Sequence, residues 1–272
     1  MNRKRILPGN YHYKRYTLDR FFKDCQRLGF ENIELWASGP HFHLDYCNKQ
    51  DLIDLRRAIK DHRLQVRCLT PEQAVYPISV CHPDAHYRQE SLDFFKRHLE
   101  VASFLDCDRM LVSPGISYLD IEEKQQWEWA ILAFKELAES AKRAGVTLVF
   151  EPFTKYSTFI NDSQTVKQLL KAVDSPQFKV VFDSDVVAST DKERPSKFIQ
   201  EIGTDIGHVH FVDGNPGGHL IPGTGKLNLN LYFNLLKELG YDGYYGLEFF
   251  DRSYYFDPAD TLEKAAKWFE NH

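Results

Sequence analysis

A chain of 272 residues with a formal net charge of −5 has room for one large domain or two small ones, and its acid excess gives no footing to a polyanion such as nucleic acid. Hydrophobic residues make up 43 % and charged residues 27 %, the balance of an ordinary soluble globular protein, and 20 Phe and 14 Tyr can fill a sizeable core. The basic start MNRKRILPGNY lacks the apolar run of a signal peptide and no stretch reads as a membrane span, while five widely spaced cysteines without a CxxC predict reduced thiols in a cytoplasmic protein.

RILPGNY (5–11) is a weak first strand, interrupted by Pro8. TLDRFFKDCQRLG (17–29) places Leu18, Phe21, Phe22, Cys25 and Leu28 on one helical face, with Gly29 as its stop. NIELWA (32–37), QVRCLT (65–70) and RMLVSP (109–114) are short, apolar and bounded by turn residues, which predicts buried strands. A long helix spans 120–145, with Trp127, Ala130, Ile131, Phe134, Leu137, Ala138 and Ala141 at helical spacing; Asp120 and Glu123 read as its N-terminal box. TLVFEPF (147–153), KVVFDSD (179–185), GHVHFVD (207–213) and YYGLEFF (244–250) continue the strands. DSQTVKQLLKAV (162–173), LNLYFNLLKELG (229–240) and DPADTLEKAAKWF (257–269) supply helices, the last started by Pro258 after Asp257. Strand–helix alternation eight times over predicts a (β/α)8 TIM barrel, a single domain over 1–272. An open doubly wound sheet would carry a Gly-rich phosphate turn after its first strand, and none is there.

Parallel strands covered on both faces should be apolar inside. Against that, the fifth strand carries Glu151, the sixth Asp183, the seventh His208 and His210, and the eighth Glu248, each near the C-terminal end where such barrels place their active sites. One buried acid alone is more often paired with a basic side chain. Acids and imidazoles on four consecutive strands instead gather three mutually repelling anions in one mouth, which calls for a cation: Mn²⁺, Co²⁺, Zn²⁺ or Mg²⁺. His208 and His210 share a face, and His210 is nearer the mouth. The loop DGNPGGHLIPGTGK (213–226) reads as a wall or lid whose backbone amides are free to bind a polyol or phosphate, or else as a plain turn cluster.

Together IELWASGPH, LTPEQAVYP, RQESLDFF, VFEPFTKY, VVFDSDV, HVHFVDG, IPGTGK and GYYGLEFF resemble the sugar-phosphate isomerase/epimerase superfamily of xylose-isomerase-like barrels, and within it the fructoselysine 3-epimerase and ketose 3-epimerase group. The resemblance covers nearly the whole chain. It implies one divalent metal ion held by Glu151, Asp183, His210 and Glu248. It also implies that Glu151 and Glu248 exchange a proton on the carbon beside a carbonyl, through an enediolate, so that the carbon inverts. The implied partner is a small sugar or sugar conjugate, and the implied assembly a homodimer or homotetramer.

The chain departs from the simple ketose epimerases at sugar-contacting positions. Val186 stands where they have a histidine three residues after the metal aspartate, Ser157 where they often have an acid, and DGNPGG lacks their arginine. These departures favour a modified sugar, an amine conjugate or a phosphate ester, over a free ketohexose. Trp36 reads as core packing or as an aromatic wall against the sugar. Glu72 and Tyr76, in the loop after the third strand, read as plain loop residues or as substrate contacts, with Glu72 able to pair with an amine. His41, His43, His82 and His86 are expected to be solvated. An aldose–ketose or hydroxypyruvate-type isomerase would use the same metal site. An endonuclease of this barrel would need histidines where the third and fourth strands end in Thr70-Pro71 and Ser113-Pro114. A non-catalytic sugar-binding barrel leaves both glutamates without a role.

Overall fold

Eight short parallel strands form one sheet in the order β1-β8-β7-β6-β5-β4-β3-β2. They are β1 (Ile6–Pro8), β2 (Asn32–Ala37), β3 (Gln65–Pro71), β4 (Arg109–Val112), β5 (Thr147–Phe150), β6 (Phe178–Asp183), β7 (Ile206–His210) and β8 (Tyr245–Leu247). A parallel bridge from Gly9 to Glu34 joins β1 to β2 and brings the ring nearly to closure. The computed structural model describes residues 2–74, 78–154 and 156–272. The predicted barrel is the fold, and the weak first strand is real but only three residues long.

Helices on the outside connect the strands: α1 (Leu18–Arg27), α2 (Lys49–Asp61), α3 (Ala85–Phe104), α4 (Glu123–Ala144), α5 (Ser163–Val173), α6 (Ser184–Ser189), α7 (Pro195–Ile202), α8 (Leu229–Glu238) and α9 (Pro258–Glu270). Their ends follow local chemistry. The Thr17 hydroxyl accepts from the Arg20 amide at the start of α1, and Gly29 takes a positive φ just past its end. Asp257 accepts from the Asp260 amide ahead of Pro258 in α9. The Asp120–Glu123 box does not form: Glu122 is the N-cap of α4 and makes no side-chain cap. Buried Gln126 ties the incoming chain instead. Its amide donates to the Tyr118 and Ile121 carbonyls, and its oxygen accepts from the Tyr118 amide, each near 2.8–2.9 Å.

Two cores result. The larger lies between strands and helices, where Phe134 of α4, Phe150 of β5 and Phe178 of β6 pack with ring centroids 5.2–5.8 Å apart. Each such ring contributes about 1.5–3 kcal/mol by leaving water. The smaller fills the barrel itself: Leu7, Cys68, Leu111, Val149 and Val181, from five strands, form one apolar stratum. The next inward position along each strand, two residues on, points to the mouth.

Candidate active site

That mouth stratum contains Trp36, Thr70, Glu151, Asp183, His210 and Glu248, all buried. The last four come together as the sequence predicts. Each offers one ligand atom, and these atoms lie within 4.8 Å of one another. Asp183 and His210 end their strands, while Glu151 and Glu248 sit one residue beyond β5 and β8, which are shorter than the predicted runs. Asp183 Oδ1 accepts from the Asp185 and Val186 amides at the start of α6, at 2.8 and 2.7 Å, which turns Oδ2 inward.

His210 Nδ1 lies 3.0 Å from Glu248 Oε2, 3.4 Å from Glu151 Oε1 and 3.5 Å from Asp183 Oδ2. Among the described residues, however, His210 Nδ1, Glu151 Oε1 and Asp183 Oδ2 have no hydrogen-bond partner. Buried polar atoms are rarely left so. Three carboxylates and one imidazole nitrogen converging, with three of the converging atoms unpartnered, are the donor set of a divalent cation, and they fit one.

The carboxylates are not equivalent. Burial pushes Glu151 up to about 7, with Glu248 adding to the rise and His210 opposing it. Burial also acts on Asp183 and Glu248, but there the nearby imidazoles of His210 and His219 outweigh it and hold both acids below the usual carboxylate range. Burial lowers His210 and His219, yet the surrounding acids outweigh it and hold both well above the ordinary imidazole range.

His208 faces the same way as His210 but belongs to a second cluster below the mouth. Its Nε2 lies 2.9 Å from Glu34 Oε2, and His210 Nε2 lies 3.0 Å from Glu34 Oε1. Tyr11 and Thr70 donate to the same Oε1 at 2.9 and 2.5 Å. Glu34 reaches across the barrel because residue 246 is glycine. A Cβ there would stand 2.6 Å from Glu34 Oε2 and 2.8 Å from the His210 ring. Glu34 is not among the expected site residues, although an acid between Ile33 and Leu35 in a strand is the same signal as Glu151.

His219 was also missed. It comes from the loop after β7 and adopts φ 47°, a conformation uncommon outside glycine. Asp185 holds it, accepting from the His219 amide at 2.9 Å and lying 3.2 Å from its Nδ1. Its Nε2 then lies 3.4 Å from Asp183 Oδ2 and 3.5 Å from Glu248 Oε2. The expectation that this loop offers free amides is overturned at its anchors. Asp213 accepts from the amides of Gly214, Gly223, Gly225 and Leu227, and Asp185 from those of Gly217 and His219. The segment is a pinned wall.

Trp36 and Glu72 line the same cavity as Glu151, Val186, His219, Glu248 and Phe250. The Trp36 indole donates to Glu72 Oε2 at 3.0 Å, so the two form one side of the mouth. Tyr76 lies outside the described residues. Lys14 Nζ sits over the Trp36 and Phe250 rings, 4.9 and 5.1 Å from their centroids. The cavity measures about 170 Å³, below the roughly 300–1,000 Å³ that encloses a drug-sized ligand. It fits a small reacting portion, with any longer arm outside. Of the histidines expected in solvent, His86 is exposed, though in the first turn of α3 rather than in a loop, while His41 cross-links the entrance, its Nδ1 2.9 Å from Asn10 Nδ2 and its Nε2 3.0 Å from the Tyr16 carbonyl. All five cysteines are free, and among the described residues no helix is long and apolar enough to cross a membrane.

Comparison with known proteins bears on this geometry. Fructoselysine 3-epimerase from Escherichia coli O157:H7 is 27 % identical over 241 residues, covering 87 % of this chain and 86 % of its own. The crystal structure of D-psicose 3-epimerase with D-tagatose from Clostridium cellulolyticum H10 superimposes with a TM-score of 0.80 at 18 % identity, over 96 % of each chain. The structure of the IOLI protein with a bound zinc atom superimposes with a TM-score of 0.82 at 18 % identity, over 97 % of this chain and 95 % of that one. The curated sequence relatives include further epimerases and isomerases, and this chain is an enzyme of that class. The family profile described as xylose isomerase-like TIM barrel matches residues 22–272, and the chain belongs to that family.

Proposed function

We propose that this protein is a divalent-metal-dependent epimerase of a ketose or ketose derivative, inverting the carbon beside the carbonyl with Glu151 and Glu248 as its acid/base pair. One observation carries the reading: two buried glutamates, from strands three apart in the ring, line one small cavity on either side of His210. Glu151, Asp183, His210 and Glu248 would hold the cation, which would supply Lewis acidity toward the negative charge on a substrate oxygen beside the deprotonated carbon.

The chain's own groups supply the rest. Inversion needs one group to take the carbon-bound proton and another to return a proton from the opposite face. Without a cation the two are unequal, Glu151 being pushed up by burial and Glu248 held down by the nearby imidazoles, so their surroundings already set them apart as proton donor and acceptor. Trp36 offers an apolar face to the sugar ring. Val186 donates nothing to a hydroxyl, and the cavity encloses only a small molecule, which supports a conjugate such as a fructosamine whose arm extends past Glu72. The relationship to fructoselysine 3-epimerase favours the same class. The reading also takes the enzyme to be cytoplasmic, a homodimer or homotetramer, without a nucleic-acid partner.

The test is exchange of the substrate's α-hydrogen in D₂O with added Mn²⁺, over free ketoses, their phosphates and fructosamines. The expected result is wild-type exchange with inversion on one class, and none with Glu151→Gln or Glu248→Gln. Full exchange in either variant excludes the two-glutamate mechanism. Transfer of the proton to the neighbouring carbon assigns aldose–ketose isomerisation instead. No exchange with any member of the panel favours a binding protein.

A further inference from the structure

We propose that Glu34 is a positioning residue that sets the tautomer of His210, and so decides which ring nitrogen is presented to the cation site. The inference rests on the reading of Glu151, Asp183, His210 and Glu248 as that site, and concerns a carboxylate outside it.

The Glu34 side chain is 1 % exposed and sits one stratum below the mouth. Its Oε1 faces the Tyr11 hydroxyl, the Thr70 hydroxyl and His210 Nε2, while Oε2 faces His208 Nε2. An ionised carboxylate only accepts hydrogen bonds, so each nitrogen facing it must carry a proton. With the proton of a neutral His210 ring on Nε2, Nδ1 is left with a bare lone pair. That lone pair points at Glu151, Asp183 and Glu248, the direction a cation needs. His208 holds the other oxygen of Glu34 and prevents the carboxylate from swinging away. Carboxylate–imidazole–metal chains of this form fix ring orientation and raise ligand affinity.

Glu34, His208 and His210 also satisfy the spacing of a three-residue metal site. The contacts argue otherwise. The N···O separations are 2.9 and 3.0 Å, hydrogen-bond lengths, and two hydroxyls already occupy Oε1. Each of these facing atoms has a hydrogen-bond partner, whereas His210 Nδ1, Glu151 Oε1 and Asp183 Oδ2 at the mouth have none, so the mouth is the cluster that calls for a cation.

The experiment uses Zn²⁺ as a diamagnetic probe and needs no sugar. Long-range ¹H–¹⁵N correlation spectra of histidine-labelled, zinc-loaded protein report each ring's tautomer, with His210 assigned by its loss in His210→Gln. Calorimetric titration of wild type and Glu34→Gln reports affinity and stoichiometry, and circular dichroism confirms folding. The expected result is one zinc per chain, a His210 ring protonated at Nε2 and ligated through Nδ1, and zinc affinity weakened about 10–100-fold in Glu34→Gln. Ligation through Nε2, unchanged affinity in the folded variant, or a second zinc lost with Glu34 each overturns the proposal. If the variant does not fold, the wild-type spectrum alone decides. No zinc binding by the wild type overturns the site itself, an outcome distinct from all of these.

Discussion

Val149 and Glu151 lie on one strand, two residues apart, and so do Val181 and Asp183. The lower pair belongs to an apolar stratum with Leu7, Cys68 and Leu111; the upper pair belongs to a cluster of acids around an imidazole. Burial hardly differs between the two strata. What differs is whether the side chains satisfy one another. The lower stratum is complete once packed, and contributes stability by excluding water. The upper one places like charges together and leaves three polar atoms unpartnered, so it lowers the stability of the metal-free chain, and on the proposed reading a cation would complete it. On β5 and β6, one inward step separates packing from chemistry.

The sharpest way to break the comparison is a substitution on each side of it. Glu248→Gln should reduce α-hydrogen exchange at least about a thousandfold, on the order of 4 kcal/mol in the barrier. Melting of the metal-free variant should fall modestly, because the attraction of the Glu248 carboxylate to His210 and His219 goes together with its repulsion of Glu151; a fall as large as that of a core truncation would mean that Glu248 is a packing residue.

Next in size is the pH dependence of the metal-free fold. Glu151 rises from 4.5 unfolded to about 7 folded, so the folded chain binds the extra proton between those values. Stability is then full below about pH 4.5 and falls by about 3 kcal/mol as pH rises to 7 and beyond. His210, raised above 6.5, acts in the same direction at higher pH. Glu34, Asp183 and Glu248 are lowered, so their contribution is lost only as pH falls through the acid range. Urea titrations in EDTA should show the decline, and Mn²⁺ should abolish it. A flat profile would show that the upper stratum is not strained.

A smaller effect belongs to the lower stratum. Val149→Ala should cost about 2 kcal/mol in urea unfolding, with exchange per folded molecule near wild type. A collapse of exchange at full stability would merge the two strata into one functional unit. Smallest is Trp36→Phe at the rim. It keeps a ring but removes the indole donor to Glu72, and should raise KM a few-fold, under about 1 kcal/mol, with kcat nearly unchanged.

Much of the upper stratum was legible because an acid in an apolar strand is conspicuous. Glu151, Asp183, His210 and Glu248 stand near strand ends, and barrel order alone makes such ends neighbours. Glu34 carries the same mark, yet its partners depend on closure of β2 against β1 and on the gap at Gly246, which no local pattern encodes. His219 had no periodic signal, since a loop residue is placed by whatever holds it, here Asp185 at the start of α6. The cap of α4 was misread because buried Gln126, a turn further on, organises the approach. The polar helix α2 and the helices α3, α6 and α7 were not placed at all. In α3, buried Ser91 and His98 blur the apolar stripe that marks α1.

The pinned segment after β7 sets the manner of recognition. Since Asp213 and Asp185 have already claimed amides along it, an arriving sugar finds this wall finished, and its ordering entropy was settled when the chain folded. Along that side the enzyme chooses by shape held in advance rather than by closing around its guest. On the proposed reading, a substrate with a bulky group directed at residues 213–227 would be turned away at the door, however well its reacting carbon would fit beyond it.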